Sequence, residues 1–115
     1  MKHLNSVIIE GTITGKPEYN QYVCRALRFM IANEREANDT KKVYKFECVC
    51  YGNMAERLSG IGHLKEGRDV RVVGRLSVEK MNINNKEISK TIIIVEHIEF
   101  KPVKKQEAEN DSQKS

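Results

Sequence analysis

Residues 43–78 place three signals in an order that few small folds use. The run Val43-Tyr44-Lys45-Phe46-Glu47-Cys48-Val49-Cys50-Tyr51 is rich in β-branched and aromatic residues and reads as a strand. In the next stretch Met54, Leu58 and Ile61 recur at i, i+4 and i+7, which gives a helix over residues 53–59 one apolar face. Gly60 and Gly62 end that helix early. A Gly-containing turn, Lys65-Glu66-Gly67-Arg68, then leads into a second strand over residues 70–78. A strand, a short helix and a strand inside a chain that otherwise alternates predict an all-β fold. The expected form is a five-stranded barrel, with the helix between strands three and four closing one end.

The flanking segments supply the other strands. Val7, Ile9, Gly11 and Ile13 alternate with Ile8, Glu10, Thr12 and Thr14, so a half-buried first strand is expected, with Gly11 at a barrel corner. Residues 15–18, containing Gly15 and Pro17, predict a turn. The second strand is expected over residues 22–33. Both of its sides are largely apolar, Val23, Leu27, Phe29 and Ile31 against Cys24, Ala26, Met30 and Ala32 with Arg28 among them, and pattern does not decide which faces inward. A mobile, charge-mixed loop is expected over residues 34–42.

In the third strand Tyr44, Phe46, Cys48 and Cys50 form the expected core row, while Lys45, Glu47, Val49 and Tyr51 face out. The fourth strand turns Val70, Val72, Gly74, Leu76 and Val78 inward and Arg71, Val73, Arg75, Ser77 and Glu79 outward. Residues 80–86 read as a hairpin tip and residues 88–100 as the fifth strand. One domain over residues 1–102 is expected, followed by a polar tail over 103–115 with almost nothing apolar, which predicts disorder.

Composition excludes several classes. The longest aliphatic run, Ile92-Ile93-Ile94-Val95, is far short of the roughly 20 apolar residues that span a bilayer. No cationic start precedes an apolar segment, so secretion is not expected and the compartment reads as cytoplasmic. Cys48 and Cys50 share one face of a strand with no histidine at ligand spacing, so the three cysteines read as buried free thiols and no metal or cofactor is expected. His3, His63 and His97 are scattered, and no nucleophile elbow or phosphate-binding glycine loop occurs. The chain therefore reads as a binder and not an enzyme. Its net charge of +4 falls wholly on residues 1–102, which hold 17 Lys and Arg against 13 Asp and Glu, a balance suited to a polyanion.

A sequence-tolerant single-strand binder needs cations that follow phosphates and flat rings on which bases stack. Candidate cations are Lys45, Arg28, Arg71 and Arg75 on strands, with Arg35, Lys42 and Lys80 in the expected loops. Each alone reads equally well as solvated surface. Tyr51, beside Gly52 at a strand end, is the candidate ring, and packing at the barrel rim is its alternative role.

Four stretches resemble the bacterial single-stranded DNA-binding protein family. Asn5-Ser6-Val7-Ile8-Ile9-Glu10-Gly11-Thr12-Ile13 is similar to its first strand, and Phe29-Met30-Ile31-Ala32-Asn33 to its second-strand signature. Tyr51-Gly52-Asn53-Met54-Ala55-Glu56 resembles its strand-to-helix junction, and residues 64–76 its Gly-containing turn and fourth strand. The resemblance covers residues 4–100 and implies an oligonucleotide-binding (OB) barrel. It also implies a homotetramer that binds single-stranded DNA without sequence preference in replication, repair and recombination, together with other replication or repair proteins. The family's stacking positions fall near Ala37 and on Lys45, Tyr51 and Met81, which adds Met81 to the candidate site. Only Tyr51 among them is aromatic, and the chain has no tryptophan. The alternative is a primosome-type accessory barrel, or a module that modulates such a tetramer, acting mainly through protein contacts.

Overall fold

The computed structural model describes residues 2–22 and 24–103. The strands are β1 (Val7–Asn20), β2 (Ala26–Ala37), β3 (Thr40–Tyr51), β4 (Asp69–Ile83) and β5 (Lys86–Phe100), with helix α1 (Gly52–Ser59) between β3 and β4. They close into a barrel in the order β1-β2-β3-β5-β4. All pairs are antiparallel except β3 with β5, which run parallel through Cys48↔Ile93 and Val49↔Ile94. This is the expected all-β, OB-type barrel with a single short helix. The expected tail falls almost wholly outside the described residues.

Alternation builds the interior. Ile13, Leu27, Phe29, Ile31, Cys48, Cys50, Val70, Val72, Ile93 and Val95 are buried together. Leu27, Phe29 and Ile31 therefore mark the inner side of β2, which pattern left open. Ala55 and Leu58 of α1, with Leu64, join this cluster and plug one end, while Ile61 lies beyond the helix and is exposed. Gly11 sits where β1 passes from pairing with β4 to pairing with β2, as a corner residue should. A Cβ on Gly74 would lie 1.9 Å from the Ile94 carbonyl oxygen, so only glycine fits the irregular step between Val73 and Gly74.

Several sequence expectations need correction. Residues 15–18 do not turn: β1 runs on to Asn20, absorbing Gly15 (φ 74°) and Pro17 as a register shift between Thr14 and Glu18. Tyr22, Cys24 and Arg25 are not strand, and β2 begins only at Ala26; the Asn20 side chain accepts the Tyr22 backbone N–H at 2.9 Å, a local bond that competes with pairing. Val23 lies outside the described residues, and Cys24 is exposed, while Cys48 and Cys50 are the buried thiols.

Residues 34–42 are not a long loop. β2 and β3 stay paired to a two-residue turn at Asn38-Asp39, where both φ values are positive (53° and 63°). Asn84-Asn85 (54° and 65°) closes β4 and β5 in the same way, so Lys80 and Met81 are strand residues. Tyr44, Phe46, Leu76 and Val78, expected in the core, are exposed. They continue the inward rows past the last β1–β4 pair at Gly74 and the last β3–β5 pair at Cys48, where β3 and β4 are each paired only within their own hairpin.

Candidate nucleic-acid interface

The parallel β3–β5 pairing sends the tips of both long hairpins, β2–β3 and β4–β5, out from the same side of the barrel. At its base the outward side chains form a row across four strands. Arg28 is opposite Val49, Val49 beside Ile94, and Ile94 opposite Arg75. Val49 faces away from the barrel, yet it is fully buried in a second apolar cluster with Ala26, Ile92 and Ile94. The sequence placed Val49 outward correctly but not in a packed layer. This layer is the floor of the candidate interface.

Tyr51 borders that floor, opposite Ala26, and is 42% exposed. Its backbone is the N-cap of α1 in extended conformation, and its side chain makes no capping hydrogen bond. The ring is therefore not needed to start the helix.

The other border is an ion network with one residue from each of β2, β3, β4 and β5. Arg28 donates through Nη1 to Glu47 Oε2 (2.9 Å) and Glu79 Oε1 (3.0 Å), and through Nη2 to Glu79 Oε2. Lys90 Nζ lies 2.8 Å from Glu47 Oε1 and 3.7 Å from Glu79 Oε1. The hydrogen bond from Arg28 holds the Glu79 carboxyl below its usual range. Burial pushes Glu47 upward, but hydrogen bonds from Lys90 and Arg28 outweigh it and the net shift is downward. Arg28 is held more firmly protonated by Glu79 above all. Forked, part-buried pairing of this kind is the strong form of a charged contact.

The nine sequence candidates thus divide. Arg28, Lys45, Tyr51, Arg75 and Met81 share the outer face. Arg75 is paired to Glu96 at 2.8 Å, and Lys45 has no ion-pair partner among the described residues. Arg35, Lys42 and Lys80 fall on the opposite faces of the hairpins, where Arg35 and Lys42 are cross-strand neighbours. Arg71 lies on the β1–β4 wall, bonded to Glu10 at 2.8 Å and to Glu99 at 3.4 Å. Its hydrogen bond and that of Lys101 draw the Glu10 carboxyl downward. The residues that sequence reasoning missed are Glu79 and Lys90. Their outward alternation was visible, but their meeting with Arg28 depends on the register of β4, β5 and β3.

Residues 4–101 match the Single-strand binding protein family. The chain belongs to that family. A Single-stranded DNA-binding protein of Fusobacterium nucleatum is 27% identical over 104 residues, covering 84% of this chain and 66% of that protein, just under two thirds of its length. Among solved structures, Plasmodium falciparum SSB in complex with ssDNA superposes with a TM-score of 0.78 at 22% identity, over 89% of this chain and 98% of that one. The small single-stranded DNA-binding protein from Streptomyces coelicolor gives 0.65 at 19%, over 88% and 96%. These two likenesses establish the shared fold. The family is a non-catalytic, DNA-binding one, and no helix among the described residues is long and apolar enough to cross a membrane.

Proposed function

We propose that this chain binds single-stranded DNA without sequence preference and without catalysis, covering exposed strands in replication, repair and recombination. The observation that carries the reading is the family match across the whole barrel, residues 4–101. The outer face supports it with an exposed ring, an apolar floor and cations gathered on one surface. Phosphate contacts dominate the affinity of such a binder, so binding weakens steeply with salt.

The proposal includes a cytoplasmic, nucleoid-associated location, replication or repair proteins as further partners, and a folded unit over residues 1–102. It also includes a homotetramer. Exposed Ile8, Tyr44, Leu76 and Val78 support self-association, because a single barrel leaves these rows uncovered. Fluorescence anisotropy of a labelled dT oligomer at two salt concentrations tests the binding. Saturation at low salt with a linear fall of log K against log salt is expected, and no saturable binding at low salt refutes it. Light scattering tests the assembly, and a 13.2 kDa particle at micromolar concentration refutes the tetramer.

A further inference from the structure

The cations best placed on the outer face are already occupied. Arg28 presents Nη1 and Nη2 together to the two oxygens of Glu79, the forked geometry in which a guanidinium takes a phosphate. Its Nη1 is shared with Glu47, whose other oxygen is held by Lys90 at 2.8 Å. Each of the four side chains is only 20–37% exposed, so these pairs are screened less than rim pairs.

The location is as telling as the geometry. β3 and β5 share only two register pairs, Cys48↔Ile93 and Val49↔Ile94. Beside those pairs, the contacts Arg28–Glu79 and Lys90–Glu47 join one hairpin to the other. The network is therefore both an occupant of the phosphate-binding cations and a tie between the two arms beside the floor.

We propose that Glu47 and Glu79 are built-in phosphate mimics, and that a single strand engages this face by displacing them from Arg28 and Lys90. The inference rests on the single-strand-binding reading and adds a self-competing step to it. Two acids and two bases make the network neutral, so this patch attracts no phosphate until the carboxylates are released. Lys45, exposed and outward on β3 with no ion-pair partner among the described residues, remains available for first contact.

The test compares the parent with Glu47→Gln/Glu79→Gln, which keeps side-chain size and one acceptor oxygen at each position but removes both competing charges. Binding of a dT oligomer is followed by anisotropy across a salt series. The variant should bind at least about tenfold tighter at low salt. Its salt slope should stay close to the parent's, since the same two cations meet phosphates in both complexes and only the competing carboxylates differ. A purely structural role for the carboxylates gives no such gain, and plain charge repulsion without displacement gives the gain with the Glu79 titration unchanged.

A second measurement uses the parent alone: the titration of the Glu79 carboxyl followed by carbon NMR, with and without saturating oligomer. The charged groups beside Glu79 are Arg28 from β2, Glu47 from β3, Lys90 from β5, Lys80 on its own strand and Glu18 from β1. Displacement from Arg28 should raise the depressed Glu79 value toward the ordinary carboxylate range.

If the parent binds while the variant gains nothing and Glu79 titrates unchanged, the mimic is refuted and the function stands. If only the variant binds, the carboxylates block the cations without being displaced, and both the displacement and the parent's activity are refuted. If neither binds, both fall. Should the variant not fold, the Glu79 titration in the parent decides.

Discussion

Replacing Tyr51 separates stacking from packing. The ring borders the apolar floor, a little under half exposed, and contributes neither a helix-capping hydrogen bond nor a charge. Stacking of one base on an aromatic side chain contributes about 1–3 kcal/mol. At about 1.4 kcal/mol per tenfold, Tyr51→Leu should weaken dT-oligomer binding by roughly 5- to 150-fold. Leucine retains most of the apolar contact with Ala26 and its neighbours, so the melting temperature should hold within a few degrees. The salt slope should not change, because no cation is lost. Arg75→Ala is the counter-case: if the arginine leaves Glu96 for a phosphate, the slope flattens by about 0.7. Anisotropy titrations at four salt concentrations, with thermal melts of each variant, read both quantities. A Tyr51→Leu protein that is folded and binds like the parent refutes stacking and leaves a purely electrostatic binder.

Three further outcomes test the fold and its charges. Gly74→Ala drives a methyl against the backbone of Ile94, which has no flexible end to give way; urea unfolding should show a loss at or above the upper end of the about 1–3 kcal/mol typical of overpacking. At pH 8 a colorimetric thiol reagent should react rapidly with Cys24 alone, because burial raises the thiol pKa of Cys48 to about 12 and of Cys50 to about 11; three fast thiols in the native protein would contradict the buried row. Glu47 and Glu79 have folded-state pKa values below the ordinary 4.5, so their stabilising contribution is complete above that value and disappears as pH falls through the depressed values. The stability gap between parent and Glu79→Gln in urea should therefore close on acidification from pH 6 to pH 3, and a gap that widens would reverse the assigned sign.

The sequence alone determined the class of fold and the inner lining of the barrel. Period-two alternation marked Ile13, Cys48, Cys50, Val70 and Val72 as inward, and all five are buried. The i, i+4 spacing of Met54 and Leu58 marked the helix that plugs the end. These are local signals, since neighbouring residues alone decide which side of a strand or helix is apolar. Family resemblance was likewise legible, because it is carried by short stretches of chain. Tertiary structure decided where an inward row stops being buried. Tyr44 and Phe46 carry the same alternation as Cys48 and Cys50, but they lie beyond the last β3–β5 pair, where β3 is paired with β2 alone, and they are exposed. It also decided which charges meet. Arg28 and Glu79 are 51 residues apart in the chain, and with Glu47 and Lys90 they converge only through barrel closure, the parallel β3–β5 step and the β4–β5 register. Register depends on contacts between distant strands, so no local pattern could reveal that the face with the best cations also carries their carboxylate partners.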